Sequence, residues 1–230
     1  MTDTNTVLIV GASRGLGLAL AEEWLARGWN VVATVRGDKT PLHRHAQEFG
    51  QRLRIEQMDV TRTEDIDSLA SRFAEHEFDV LYVNAGVALG PEDGASEVST
   101  EDFTRLMVTN ALSPIRIVER LCEKVKANGT IAIMSSSLGS VALNESGGWE
   151  VYRASKAALN TLMRSFAARH ADASWSLALV DPGWVRTEMG GADATLGVEE
   201  SIPGIVNQIE AFSGKPGLRY YNYRGETLPW

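Results

Sequence analysis

The chain has 230 residues, of which 44% are hydrophobic and 23% are charged, and this composition supports one domain with a sizeable core. Its formal net charge of −8 argues against non-specific nucleic-acid binding, because phosphate contacts need a basic surface. Cys122 is the only cysteine, which excludes an intramolecular disulfide and argues against a thiolate metal site.

Segments typical of strands alternate with segments typical of helices along the chain. We predict strands at 6–10, 30–35, 53–57, 79–83, 129–134, 175–180 and 218–222. The intervening segments are mainly helical, and this alternation predicts a parallel sheet with helices on both faces. No internal repeat or long linker divides the chain, so we expect a single domain over 1–230. The polar N-terminus and the absence of an apolar run of membrane-spanning length predict a cytoplasmic protein.

The first predicted strand leads into a glycine-rich turn, Gly11-Ala-Ser-Arg-Gly-Leu-Gly17, which precedes a predicted helix. Glycines at 11, 15 and 17 allow a tight turn and let the backbone approach a pyrophosphate at the helix N-terminus. The spacing differs from the GxGxxG of most dinucleotide-binding folds, and an ordinary structural turn is the alternative.

The second predicted strand ends at Arg36, where sites that prefer NAD usually carry an acidic residue for the ribose 2′-hydroxyl. A guanidinium at this position suits a 2′-phosphate, and Arg14 in the glycine-rich turn is placed to reach the same group. The two arginines therefore predict NADP(H) over NAD(H). Asp38 weakens this prediction slightly, and ordinary surface arginines are the alternative.

Two side chains four residues apart, Tyr152 and Lys156, share one face of a predicted helix. A phenol exchanges a proton poorly at neutral pH unless a nearby cation stabilises the phenolate, and Lys156 is placed to lower the pKa of Tyr152. A surface pair is the alternative. Upstream, the ring of Pro114 clashes with the carbonyl of Asn110, which predicts a helix kink that frees this carbonyl to bind water.

These motifs, together with Asn84-Ala-Gly86, Ser136 and Asp181-Pro-Gly183, resemble the short-chain dehydrogenase/reductase family in order and approximate spacing. The resemblance covers essentially the whole chain. The segments 146–148, 152–160, 181–187 and 223–230 are most similar to the C-factor-like branch, which is named after an intercellular signalling protein. The family's fold is a single-domain Rossmann fold, a doubly wound seven-stranded parallel sheet of order 3-2-1-4-5-6-7 with helices on both faces.

The resemblance implies an NADP(H)-dependent oxidoreductase that interconverts a carbonyl and an alcohol by hydride transfer. Its catalytic group would be Asn110, Ser136, Tyr152 and Lys156. Tyr152 would exchange the proton, Ser136 would hold the substrate oxygen, and a water on the Asn110 backbone would link Lys156 to solvent. Ser135 and Ser137 leave the register of the serine open. An NADP-binding signalling or regulatory protein of C-factor type is the alternative function.

The resemblance also implies the cofactor contacts. Asp59 would accept from the adenine amino group; its alternative role is to cap the helix that begins near Thr63. Asn84 would additionally tie adjacent strands together. The complete set is Gly11, Ser13, Arg14, Gly15, Leu16, Gly17, Arg36, Asp59, Val60, Asn84, Ala85, Gly86, Tyr152, Lys156, Pro182, Gly183, Val185 and Thr187.

The expected substrate is an uncharged ketone or aldehyde, because the candidate pocket residues Leu138, Trp149, Trp184 and Met189 are largely apolar. A glycine-rich lid is expected around 187–198. We expect no metal, since His43 and His45 lie in a polar stretch without further ligands. The resemblance implies a homodimer or homotetramer, formed through the helices that carry Tyr152 and Asn110. We expect no nucleic-acid or membrane partner.

Overall fold

A computed structural model describes residues 4–90 and 94–230, which include every predicted site residue. Within these residues, seven strands pair in parallel in the order β3-β2-β1-β4-β5-β6-β7, which confirms the predicted sheet. The strands are β1 Thr6–Val10, β2 Asn30–Val35, β3 Leu53–Gln57, β4 Phe78–Val83, β5 Val125–Met134, β6 Ser176–Asp181 and β7 Gly217–Asn222.

The beginning of β5 differs from the prediction, which placed it at residue 129. The strand starts at Val125, and its pairing with β4 shifts register between Phe78 and Val80. Asn128 has a positive φ of 66° within this irregular part. The polar segment Lys-Ala-Asn-Gly lacks the apolar run on which the prediction relied, so the register shift had no local signal.

The main helices are α1 Gly15–Ala26, α2 Pro41–Phe49, α3 Thr63–Arg72, α4 Thr100–Met107, α5 Ser113–Leu121, α6 Glu150–Arg169 and α7 Val198–Phe212. Side chains of α1, α2 and α7 pack on one face of the sheet, and side chains of α3, α5 and α6 pack on the other. No helix within 4–90 and 94–230 has the length and apolarity needed to cross a bilayer.

Each face of the sheet carries its own hydrophobic core. In β1, Val7 and Ile9 belong to one core, whereas Leu8 and Val10 belong to the other. All four side chains are fully buried, as expected for a parallel strand covered on both faces. Because β1 lies between β2 and β4, the chain connections diverge there and open a crevice at the carboxyl ends of the strands.

Candidate active site

The glycine-rich turn follows β1 at the edge of this crevice. Gly11 has a φ of 90°, and a Cβ there would lie 2.9 Å from atoms of Ala85. A Cβ on Gly17 would lie 2.0 Å from the Gly11 carbonyl oxygen, so this turn accepts only glycine at position 17 without rearrangement. Asn84 Nδ2 donates to the Gly11 oxygen at 2.8 Å. Asn84 therefore ties the end of β4 to the turn, as predicted.

The first turn of α1 is suited to a phosphate group. The helix begins at Gly15, no side chain caps it, and its first turn carries no acidic residue. Its leading N–H groups and the positive end of the helix dipole therefore remain available to an anion. Together with the close packing at Gly11 and Gly17, this turn fits the pyrophosphate of a dinucleotide.

Arg36 and Asp59 lie at the neighbouring ends of β2 and β3. They line a cavity of about 430 Å³ together with Gln57, Arg62, Asp65, Ser68 and Arg72. Partial burial opposes ionisation of Asp59, but hydrogen bonds from Thr61 and the charges of Arg36 and Arg62 outweigh it and lower its pKa. Asp59 does not cap α3: its carboxylate accepts from Thr61, whereas Arg62 is the N-cap residue.

Arg14, the second arginine expected to reach the 2′-phosphate, forms an ion pair with an acidic residue. Its Nη1 is 2.5 Å from Glu188 Oε2, and both side chains are exposed. Glu188 lies in the segment after β6, so this segment supplies a partner for Arg14. Because exposed ion pairs contribute only ~0–1 kcal/mol, this pair can exchange for another anion at little cost.

Asn110 lies in a π-helical turn, Val108–Leu112, where the sequence predicts a kink. Pro114 lies in the first turn of α5, which continues directly from the π-helical turn, and without an N–H it cannot donate a hydrogen bond to the Asn110 carbonyl. The Asn110 side chain accepts from Val87 N and donates to Val87 O, both at 2.8 Å, and also donates to Ser155 Oγ at 3.0 Å. Ser155 was missed by the sequence reasoning, although it lies between Tyr152 and Lys156.

The three serines after β5 have different partners. Ser135 Oγ donates to Asn160 Oδ1 at 2.7 Å in the core, and Ser137 N donates to Asp181 Oδ1 at 2.9 Å. Of the three serines, Ser136 is the one whose side chain lowers the pKa of the Tyr152 phenol. The geometry therefore favours Ser136 over its neighbours as the serine of the site.

Tyr152 and Lys156 lie on adjacent turns of α6, but the ammonium group does not bind the phenol. Lys156 Nζ donates to Met134 O at 2.9 Å and lies 5.8 Å from the centroid of the Tyr152 ring. Burial raises the pKa of Tyr152 to about 12, although the Ser136 hydrogen bond opposes this, and the charge of Asp181 adds to it. Burial lowers the pKa of Lys156 to about 8. The predicted lowering of the Tyr152 pKa is therefore absent, because desolvation dominates.

Gly86, which follows β4, lies close to two residues of the candidate catalytic group. A Cβ there would lie 3.4 Å from Asn110 Oδ1 and 3.6 Å from Lys156 Nζ. The Asn110 and Lys156 side chains therefore both lie close to Gly86. The structure brings together Asn110, Ser136, Tyr152 and Lys156 at the crevice.

The segment predicted as a lid, 187–198, is a loop up to residue 197, and α7 begins at Val198. Its base is closed by pairing of Val185 with Leu196, with Arg186 N donating to Leu196 O at 2.9 Å. Within the loop, Gly190 N donates to Thr187 Oγ1 at 3.1 Å. A Cβ on Gly15 would lie 3.9 Å from Thr187, which places the loop across the crevice from the glycine-rich turn.

The four candidate pocket residues fall into two pairs. Trp149 precedes α6 in a left-handed conformation, and its ring packs edge-on against Tyr152 at 6.0 Å. Leu138 is partly buried beside Ser136, to whose Oγ its N–H donates. Trp184 and Met189 belong to the lid region and are 53% and 50% exposed. Trp149 borders Tyr152, Leu138 lies beside Ser136, and Trp184 and Met189 are exposed apolar side chains in or next to the segment predicted as a lid.

No group of three or more potential metal ligands occurs within residues 4–90 and 94–230. Both histidines that the sequence singled out have other partners. His43 Nδ1 bonds to Thr40 at the start of α2, and His45 Nε2 lies 2.8 Å from Glu22 Oε1.

The sheet order, the glycine-rich turn and the crevice define a Rossmann-type dinucleotide-binding fold. The chain belongs to the short-chain dehydrogenase family, because residues 5–195 match the family model described as short chain dehydrogenase.

Solved structures and a further relative agree with this assignment. A short-chain dehydrogenase/reductase of Burkholderia multivorans with bound NADP is 55% identical, with a TM-score of 0.97 over 99% of this chain and 100% of that one. A carbonyl reductase of Pseudomonas aeruginosa PAO1 in complex with NADP is 40% identical, with a TM-score of 0.92 over the same shares. C-signal of Myxococcus xanthus is 36% identical over 66% of this chain and 92% of that protein. The resemblance to the C-factor-like branch is thereby confirmed.

Proposed function

We propose that this protein is an NADP(H)-dependent oxidoreductase that interconverts a ketone or aldehyde and its alcohol. The observation that carries the proposal is the meeting of Ser136, Tyr152, Lys156 and Asn110 at the crevice beside the glycine-rich turn. The NADP-bound relatives from Burkholderia and Pseudomonas support the choice of cofactor.

The cofactor would be held along the crevice by residues of five loops. The glycine-rich turn would bind the pyrophosphate, and Arg36 would bind the 2′-phosphate, joined by Arg14 once it leaves Glu188. Asp59 and Val60 would contact the adenine, and the small residues of 84–86 would admit the ribose. Pro182, Gly183, Val185 and Thr187 would surround the nicotinamide. When bound, the reduced cofactor supplies the hydride.

Tyr152 would give its proton to the substrate oxygen during carbonyl reduction. A phenol whose pKa is about 12 is protonated at neutral pH, which is the form that this step needs. Ser136, whose side chain lowers the pKa of the phenol, would hold the same oxygen. Lys156, whose pKa is about 8, would return a proton to Tyr152, and a water on the Asn110 carbonyl would connect it to solvent.

We further propose an uncharged, largely apolar substrate. The basis is the apolar character of Trp149 beside Tyr152, of Leu138 beside Ser136, and of Trp184 and Met189 on the lid side. A homodimer or homotetramer in the cytoplasm completes the proposal.

The test is NADPH oxidation with a panel of aldehydes, ketones and diketones, comparing the native protein with Tyr152→Phe. We expect the variant to lose activity by roughly 10²–10⁴-fold while retaining NADPH binding, measured by fluorescence titration. Tyr221→Phe is the matched control, because its hydroxyl is buried on the other face of the sheet. Equal activity of Tyr152→Phe and the native protein would contradict the proposed role.

The similarity to C-signal favours a second candidate, an NADP-binding signalling protein whose turnover is incidental. Tight NADPH binding without turnover of any carbonyl in the panel would support this candidate instead.

A further inference from the structure

The peptide group between Ser136 and Ser137 is hydrogen-bonded at both of its polar atoms. The Ser136 carbonyl oxygen accepts from Tyr220 Oη at 2.5 Å, and Ser137 N donates to Asp181 Oδ1 at 2.9 Å. Tyr220 lies on β7 and Asp181 ends β6. Two adjacent strands therefore hold the peptide that immediately follows the Ser136 side chain.

Both of these partners are themselves fixed by burial and packing. Tyr220 is 2% exposed and Asp181 is 7% exposed. The Tyr220 ring packs against Trp230 with a centroid separation of 5.4 Å, and the Trp230 carbonyl accepts from Ser140 Oγ at 3.1 Å. Trp230 thereby links the Tyr220 ring to Ser140 in the segment that follows Ser136.

Asp181 also joins two loops of the site. Ser137 N donates to its carboxylate, and the Ser137 side chain and the Gly183 backbone oppose the rise in the Asp181 pKa that burial causes. Gly183 has a φ of 75° and begins the segment after β6 that leads into the lid. One buried carboxylate therefore connects the serine loop to the loop proposed to surround the nicotinamide.

The side chain of Ser136 itself has few constraints. Ser136 is in an extended conformation, and its Oγ accepts from Leu138 N at 3.2 Å. Its backbone is instead fixed from both sides, because Ser135 N donates to Val180 O at 2.7 Å on the other side. The direction of the hydroxyl toward Tyr152 therefore depends on the orientation of the peptide that follows.

We propose that Tyr220 and Asp181 are positioning residues that fix Ser136 against Tyr152 by holding the 136–137 peptide. Neither residue contacts the reacting atoms. The inference rests on the proposed function, since it assigns the alignment of Ser136 for proton transfer to two side chains outside the catalytic group.

The first test combines Tyr220→Phe with Ser136→Ala. Tyr220→Phe removes only the hydroxyl, and we expect kcat to fall roughly 10-fold with an unchanged KM for NADPH, because displacement of a positioned group slows the chemical step. In the Ser136→Ala background, Tyr220→Phe should lower kcat no further, since the residue acts through Ser136. Tyr221→Phe, the neighbouring substitution on the opposite face, should leave kcat unchanged.

The second test compares two substitutions of Asp181. Asp181→Asn keeps an oxygen that accepts from Ser137 N, so it should retain most of kcat. Asp181→Ala removes the acceptor and should lower kcat roughly 10-fold. Retention of kcat in Asp181→Asn would identify the hydrogen bond from Ser137 N, rather than the negative charge of Asp181, as the positioning contact.

Hydrogen exchange of the Ser137 amide gives a readout that needs no turnover. Exchange should accelerate at least 10-fold in Asp181→Ala but not in Asp181→Asn, both checked for native circular dichroism. Native protection in a folded Asp181→Ala would overturn the proposal. An equal loss of kcat from Tyr220→Phe in the native and Ser136→Ala backgrounds would do so as well. A different outcome would refute the proposed reaction. In that case neither the native protein nor Ser136→Ala would reduce any carbonyl, although hydrogen exchange of the Ser137 amide would respond as expected. The positioning contacts would then remain supported.

Discussion

Lys156 Nζ binds the carbonyl oxygen of Met134, the last residue of β5, at 2.9 Å. The ammonium group is thereby fixed at the end of a strand, one helical turn from Tyr152. Its burial is nearly complete at 3% exposure, which is why its pKa falls to about 8. Burial of the charged ammonium group destabilises the folded state, and the size of this effect depends on pH.

Lys156 should make the protein more stable as pH rises from about 8 to 10. The unfolded chain keeps this proton up to about pH 10.5, whereas the folded protein loses it near 8, so the unfolded state binds more protons in this window. The gain in the free energy of unfolding is on the order of 2–3 kcal/mol at most. Urea denaturation at several pH values, compared with Lys156→Met, isolates this contribution. If the free energy of unfolding depended on pH in the same way in both proteins, the assignment of this effect to Lys156 would be contradicted.

Arg36→Gln should weaken NADPH binding by roughly 10–100-fold and leave NADH binding nearly unchanged, because only NADPH carries the 2′-phosphate. Fluorescence titration of both cofactors measures the ratio. Arg44→Gln, an exposed arginine on α2, is the control and should change neither affinity. An equal loss of affinity for NADPH and NADH would show that Arg36 does not bind the 2′-phosphate.

Glu188→Gln should strengthen NADPH binding up to about 5-fold, because it releases Arg14 from an exposed ion pair. The difference should shrink with added salt, which screens the pair. Isothermal titration at low and high salt measures it, with Glu75→Gln as an exposed control remote from the crevice. Weaker binding in Glu188→Gln would mean that Glu188 itself supports the cofactor.

Gly17→Ala should destabilise the fold by about 1–3 kcal/mol and reduce NADPH affinity, because the added Cβ would meet the Gly11 oxygen at 2.0 Å. Gly37→Ala is the matched control, since a Cβ there meets no described atom within 4 Å. Chemical denaturation compares the two. Similar stability of both variants would show that the turn can rearrange.

Leu162→Arg should dissociate the expected oligomer. Phe103, Leu112 and Leu162 are exposed apolar side chains on α4, the π-helical turn and α6, the elements through which the family resemblance implies pairing. Light scattering should give a dimer or tetramer for the native chain and a monomer for the variant. Val141→Arg, at a 76% exposed site outside these helices, should keep the native mass. A native monomer at micromolar concentration would count against the proposal.

The strands and the glycine-rich turn were predictable because their signals are local. We can recognise the apolar run 7–10 and the glycines at 11, 15 and 17 from only a few neighbouring residues. The same holds for Pro114 and the irregular turn that precedes it. Parallel strand order followed from the family resemblance, and the structure confirms it.

The contacts that tune the site were not predictable, because they join residues far apart in the chain. Tyr220 reaches Ser136 across 84 positions, and Asp181 reaches Ser137 across 44. The pairing of Arg14 with Glu188 and of Lys156 with Met134 likewise depends on the tertiary packing of the crevice. A spacing rule placed Lys156 near Tyr152 but could not foresee that a strand carbonyl would bind the ammonium group.

The pairing of Val185 with Leu196 pins both ends of the lid, and the Trp184 indole N–H adds a 2.7 Å bond to Gly190 O inside it. Because hydrogen bonds hold this loop at its base and within it, few of its backbone torsions remain free. Closing it over a bound molecule therefore costs less conformational entropy than ordering an open segment of equal length would. We propose that this loop would close over a bound molecule by a hinge movement of the whole segment.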